Sequence, residues 1–268
     1  MQLHSNNAIL KAAVFILSVL LLTQSVNAQQ AKSVQQQNHF WWSVNTAAQV
    51  SNKWSILADI HIRRTNFMAS NSFYFVRLGA LYNVNKSFSV ATGAGHMWLA
   101  NKTQLTELFT NENRLYQQFQ VSGNLGKIST LNRLRIEERW SQKIANNQLT
   151  DAYRYTTRFR YLFSLNVPVS KNKYIPSIVF ADELLVQMGK DIIYNPFDQN
   201  RFFAGIKQQI VPSLSFDLGY MLVYQQKLSG YQYTRANTLR WFFYWKPDLR
   251  KKHKTHAQAT AFQMPEID

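Results

Sequence analysis

Between residues 133 and 139 every second side chain carries a charge: Arg133, Arg135, Glu137 and Arg139. Arg154, Arg158 and Arg160 repeat the pattern further on, and Arg114, Arg201 and Glu183 occupy similar alternating contexts. In an extended chain, positions i and i+2 share a face about 7 Å apart. Glu137 is then flanked by guanidinium groups, and antiparallel pairing brings Arg114 and Arg154 near its level. Such a lattice can bind an anion or form a charged constriction. The plainer reading is structural, because buried arginines need acceptors and pair with whatever carboxylates lie beside them.

Catalytic patterns are poorer. Asp59 and His61 share a face, but the His-x-Ser spacing of outer-membrane phospholipase and deacylase barrels is missing: Trp41 follows His39 at that spacing, Arg63 follows His61 and Trp98 follows His96. No enzymatic activity is expected on that pattern. Cysteine is absent, which excludes thiolate metal sites, catalytic thiols and disulfides. His253 and His256 in the basic tail supply two ligands where a metal site needs three or four. No phosphate-cradling or dinucleotide-binding glycine motif occurs. No cofactor and no metal are expected.

The elements that would position these arginines are strands. From residue 39 to 246 the chain alternates with a period of two. Trp54, Ile56, Ala58, Ile60 and Ile62 form one face of a segment whose other face is Ser55, Leu57, Asp59, His61 and Arg63. Eleven such segments fall near 40–50, 54–64, 73–84, 88–98, 113–125, 129–140, 152–167, 174–186, 200–211, 214–226 and 236–246. Most are 11 to 14 residues long, against about 5–6 for a soluble strand. Tilted at a barrel's angle, eleven residues climb roughly 25–30 Å, the thickness of a membrane's hydrocarbon core. Short turns (51–53, 85–86, 126–127, 170–173, 212–213) alternate with longer connections (65–72, 99–112, 141–151, 187–199, 227–235). That asymmetry fits a barrel with short periplasmic turns and longer extracellular loops.

Alternation alone leaves a soluble, lipocalin-like lipid carrier open, with its apolar face inside. Two features favour the opposite orientation. Gly79, Gly93, Gly95, Gly205 and Gly219 sit at mid-strand on the polar face, where only a crowded interior calls for glycine. All seven tryptophans stand at or near expected strand ends, and Trp42, Trp54, Trp98, Trp140, Trp241 and Trp245 read as an aromatic girdle at the membrane–water interface. Ten arginines (63, 77, 114, 133, 135, 139, 154, 158, 160, 201) then face a lumen holding fewer acids (Asp59, Glu137, Glu183, Asp217), whereas the lysines lie in short turns and in the tail.

Charge and composition agree. The formal net charge is +16, yet charged residues make up only 16% of the chain and aromatics 14%. A nucleic-acid binder is excluded by the continuous apolar face opposite the arginines, which a soluble protein could not leave bare. Residues 1–28 read as a secretory signal: Lys11, the apolar run Ala12–Leu22, and the small-x-small site Val26-Asn27-Ala28.

Three stretches carry a family resemblance: Asn132 to Trp140 (NRLRIEERW), Arg158 to Tyr161 (RFRY) and Asp198 to Gly205 (DQNRFFAG), together with Asp182-Glu183-Leu184. They resemble the bacterial domain-of-unknown-function 2490 family over about residues 38–246. The resemblance implies a single-domain outer-membrane β-barrel behind a signal peptide, and no activity. The sequence departs from barrels that end on an aromatic residue, because a basic, polar tail continues beyond Trp245.

The expected architecture is all-β: a transmembrane antiparallel up-and-down β-barrel of about 10–12 strands in the outer membrane of a Gram-negative bacterium. Residues 1–28 form the signal, 29–38 a polar segment (a weak strand or a lumen segment), 39–246 the barrel and 247–268 the tail. Bacterial barrels have an even strand count, so eleven segments leave a parity problem that residues 29–38 would have to solve. The expected partners are outer-membrane lipid and small anions. The expected function is structural or a narrow anion-favouring pore, with a membrane-embedded lipid hydrolase or the soluble carrier as alternatives.

Overall fold

The computed structural model describes residues 31–102, 107–172 and 174–250. The expected signal and most of the tail lie outside the described residues. Eleven strands follow one another: β1 (Ser33–Gln49), β2 (Trp54–Thr65), β3 (Ser70–Asn83), β4 (Phe88–Lys102), β5 (Glu107–Leu125), β6 (Ile128–Ala145), β7 (Gln148–Val167), β8 (Ser177–Met188), β9 (Phe197–Val211), β10 (Leu214–Gln226) and β11 (Gln232–Trp245). They close into one barrel in sequence order. Each consecutive pair is antiparallel.

With an odd count, β1 and β11 must run the same way where the barrel closes. The backbone bears this out. The Gln49 amide donates to the Pro247 carbonyl at 2.9 Å and the Leu249 amide donates to the Gln49 carbonyl at 2.8 Å. One residue bonding to two neighbours on either side of its opposite number is the parallel pattern. Trp42 and Phe243 pack across the same seam, 6.3 Å between ring centroids. No twelfth strand is needed. Residues 33–38, expected as a separate segment, are the start of β1, and 247–249 extend the seam past β11. The polar run Ser33 to Asn38 is largely exposed, so it lacks the two-faced pattern by which the other strands are recognised.

Connection lengths also depart from the expectation. The stretches 99–112 and 141–151 are mostly strand: β4 reaches Lys102, β5 starts at Glu107, and β6 and β7 are joined by Asn146 and Asn147 alone. Both asparagines have positive φ (51° and 58°), the demand of a two-residue hairpin turn. Their flanking residues are polar on both faces, so periodicity is silent there although the backbones stay paired. At the other end the 168–176 connection is not short. The two ends thus differ in how far the strands run on, with β5, β6 and β7 the longest at 19, 18 and 20 residues.

The orientation is the one the glycines indicate. Ile56, Ile60, Leu78, Phe119, Tyr161 and Leu239 face outward and are exposed, while Asp59, Arg77, Gln118, Arg160 and Arg240 on the alternate positions are buried inside. An apolar-inside carrier is therefore excluded as the architecture. Glycine makes room where the lumen is fullest. Gly79 and Gly93 are paired across β3 and β4, and a Cβ at Gly93 would stand 2.8 Å from the Tyr116 ring. Gly205 and Gly219 are likewise opposite one another.

The interior has two apolar patches among its polar groups. Ala47, Leu57, Leu81, Ala91 and Tyr116 pack together on one side. A larger cluster on the other side includes Trp41, Leu162, Phe203, Met221, Phe242 and Tyr244.

Candidate functional site: the arginine-lined lumen

The charged residues meet because β5 to β9 lie side by side with their alternate positions turned inward. The register sets Arg114 opposite Arg139, Arg135 opposite Arg160, Glu137 opposite Arg158 and Glu183 opposite Arg201. Two carboxylates organise the result. Glu137 accepts from Arg158 Nε at 2.9 Å and from an Arg160 Nη at 2.7 Å, with Arg114 and Arg135 at 3.8 and 3.9 Å. Glu183 accepts from Arg133 at 2.9 Å, Arg160 at 2.7 Å and Arg201 at 3.1 Å. Arg160 thus bridges both acids, and Arg158 carries the lattice on to Asp198 at 3.0 Å.

Every expected lumen residue points inward, but not all join this lattice. Arg135 spends two donors on the Gln118 side-chain oxygen at 2.9 and 2.6 Å. Arg139 donates to the Gln187 oxygen at 2.6 Å. Arg154 has no ion pair or side-chain hydrogen bond among the described residues. Asp59 pairs with Arg77.

Arginines inside the barrel also lean on aromatic rings, which accept the face of a planar cation. The Arg63 guanidinium lies 3.8 Å from the centroid of Trp41. Trp41 is buried in the lumen, apart from the six tryptophans expected as the girdle. Arg240 sits between Phe203 and Phe242, 4.3 Å from each centroid.

Several members were missed from sequence. Glu112, bonded to Arg114 at 2.6 Å, and Asp198 lie in stretches read as loops. Continuing the alternation two residues back from Arg114 would have found Glu112. Arg240, with Asp217 and Tyr244, forms a second small network near the other end of the barrel: the Tyr244 hydroxyl donates to Asp217 at 3.1 Å and Arg240 donates to that hydroxyl at 2.8 Å. Lys207 and Lys246 also depart from the rule that lysines avoid the interior. The Lys207 ammonium stands 5.1 Å from the Tyr244 ring centroid. The connection before β9 is held by Asp198, which pairs with Arg158, and by Gln187, which donates to the Asn195 carbonyl at 3.1 Å.

These strands fall within residues 38–234, which match the model of a family described as "Protein of unknown function (DUF2490)". The chain belongs to the DUF2490 family. No curated protein matches it. Among solved structures it is similar to the crystal structure of the beta domain of the Bordetella autotransporter BrkA, with 9% identity over 71% of this chain and 81% of that one, at a TM-score of 0.37.

The lumen of this DUF2490 barrel is a cup. A cavity of about 340 Å³ is lined by Ser72, Leu99, Asn195 and Gln226, all near the end where β3 starts and β4 finishes, and by Arg114, Arg139, Arg154 and Arg158. At the opposite end the inward side chains are sealed. Ser55 and Ser89, each the second residue of its strand, are 1% and 2% exposed. Above them Leu57, Leu81, Tyr116, Gln118, Gln120 and Arg135 are all buried to 2% or less. These residues pack the DUF2490 lumen on its β2 to β6 side.

The alternative of a lipid hydrolase needs a serine bonded to a histidine. Ser43 lies opposite His61 in the register. The His61 ring, however, hydrogen-bonds Arg63 at 3.2 Å, and the Ser43 hydroxyl accepts from Asn45 at 3.0 Å. His96 bonds Asn113 and Asn111 on the outer face. Among the described residues neither ring is bonded to a serine.

On the outer face Trp54 stacks against Tyr82 and Trp140 against Tyr155, at 4.9 and 5.4 Å, near opposite ends of their strands. Trp98 and Trp245 are exposed near strand ends. Trp42 and Trp241 are also on the outer face but further along their strands, beside the seam.

Proposed function

We propose that this DUF2490 protein is an integral outer-membrane β-barrel of a Gram-negative bacterium, exported by the signal at 1–28, which presents a positively charged, blind-ended cup to the outside. The observation that carries the membrane reading is the inversion of burial: exposed Ile, Leu and Phe cover the wall while arginines and glutamates fill the centre. In water that arrangement would leave a large apolar surface bare. In lipid it is the stable one. The outward-facing Trp54, Trp98, Trp140 and Trp245 serve as interfacial anchors in this reading, with outer-membrane lipid as the partner of the wall.

The arginine surplus favours anions inside the cup through the field of fixed charges in a low-dielectric wall. The buried layer from Leu57 to Arg135 favours a cup over the narrow anion pore expected from sequence. Purified barrel inserted in a planar bilayer tests the distinction. The cup gives no steady conductance. A sustained anion-selective current would restore the pore and remove the cup, leaving the membrane barrel in place.

A further inference from the structure

We infer that the cup binds a small amphiphilic anion: an organic carboxylate or sulfonate with an aromatic or aliphatic body, entering from the open end. This deepens the cup reading above and rests on it. The cavity has two unlike walls. On β6 and β7 it is basic, with Arg139 and Arg154 facing in. Across the barrel, on β1, β3 and β11, it carries the rings of Trp41, Phe73 and Phe242, with Arg63 against Trp41 and Arg240 against Phe242. In an eleven-strand ring, β6 lies opposite the β1–β11 seam.

The basic wall is short of acceptors. Glu183 and Asp198, which also line the cavity, are engaged by Arg160, Arg201 and Arg158. Arg139 is 8% exposed, has no carboxylate within 4 Å among the described residues, and keeps a buried Nε without a hydrogen-bond partner. Arg154 at the rim has the same orphaned Nε. A buried guanidinium short of acceptors is costly, and an oxyanion in the cavity supplies a charged acceptor for the guanidinium groups that line it. Arg139, which also donates to Gln187, and Arg154 lie on adjacent strands, two residues apart in register, since Arg154 pairs with Ser141 and Thr156 with Arg139.

An inorganic anion would satisfy the arginines and leave the opposite wall unused. About 340 Å³ is at the lower end of the range of small-molecule sites. A compact amphiphile meets both sides at once, its charged group on Arg139 and Arg154 and its body toward Phe73 and Leu99 near the open end.

Calorimetric titration of the full barrel in nanodiscs tests this, with 4-phenylbutyrate, its neutral analogue 4-phenylbutanol and inorganic phosphate as probes, and empty nanodiscs as the blank. The proposal expects saturable binding of one phenylbutyrate per barrel, at least tenfold weaker binding of the alcohol and of phosphate, and weakening with added salt. Arg154→Gln should reduce phenylbutyrate affinity about tenfold. Arg154 is half-buried and has no ion pair among the described residues, so the variant keeps the fold; gel migration before and after boiling checks this on the same sample. Equal binding of alcohol and acid, tighter binding of phosphate, an unchanged Arg154→Gln, or no saturable binding would each overturn the proposal. A barrel that shows no ligand while remaining closed to current leaves the cup itself intact, so the two failures are separable.

Discussion

The Gln49 amide donates to the Pro247 carbonyl at 2.9 Å, joining the first strand to the chain just past the last one in parallel. Nothing in the antiparallel hairpins requires this bond. It follows from an odd number of strands closing on themselves. It also places the two chain ends at opposite ends of the barrel: β1 starts at the open end of the cup and β11 finishes at the sealed end.

The topology can be tested on cells. An epitope inserted after residue 31 should be reached by antibody on intact bacteria, whereas one placed after Arg250 should be reached only after the outer membrane is permeabilised. Labelling of both or of neither on intact cells would contradict the parallel seam.

The Glu137 carboxylate holds Arg158 and Arg160 in a buried setting. Removing one partner of a buried ion pair leaves uncompensated charge, at a cost of about 3–5 kcal/mol. Glu137→Gln should therefore lower the unfolding free energy of the barrel in vesicles, read from urea titration, by that amount. An outward neighbour, Ile136→Val, should change it by about 0.5–1.5 kcal/mol at most, the ordinary cost of a lost methylene.

Gly93 is closely approached by the Tyr116 ring. Gly93→Ala should destabilise the barrel by about 1–3 kcal/mol through overpacking. Pairing it with Tyr116→Ala should recover part of the loss, because residues in contact couple in double-mutant cycles. Strictly additive losses would place the strain elsewhere.

Lys246, just beyond β11, titrates low. Burial, with Lys207 nearby, lowers its ammonium to about 7, against an opposing pull from Asp217. The folded state then binds fewer protons than the unfolded chain between about 7 and the ordinary lysine value of 10.5. Stability should rise with pH across that window. Lys246→Met should flatten the dependence in unfolding curves collected between these limits.

What the sequence makes legible follows from where the two faces meet different media. Within β2, Ile56 and Ile60 face outward while Asp59 and His61 face inward, and the contrast names both the strand and its orientation. The same parity places Arg133, Arg135, Glu137 and Arg139 together. Where both faces meet water the contrast disappears. Glu112, Asp198 and the Gln35 to Gln37 stretch were hidden because their neighbours are polar on both faces, although all are strand residues. Trp41 and Trp42 are adjacent and chemically alike, and only the register decides that Trp41 stacks on Arg63 while Trp42 faces out. The parallel seam has no local signature at all, because it depends on how the ends of a closed ring meet.

The orientation of the wall is the claim on which the cup, its charge and its location all rest. The chain has no native cysteine, so single cysteines at Leu78, Phe119, Leu239 and Gln225 can each carry a spin label in reconstituted vesicles. The account predicts that labels at 78, 119 and 239 collide with lipid-dissolved oxygen and are shielded from a water-soluble nickel chelate, while the label at 225, in the mouth of the cup, meets the chelate. Chelate access at 78, 119 and 239 would contradict it.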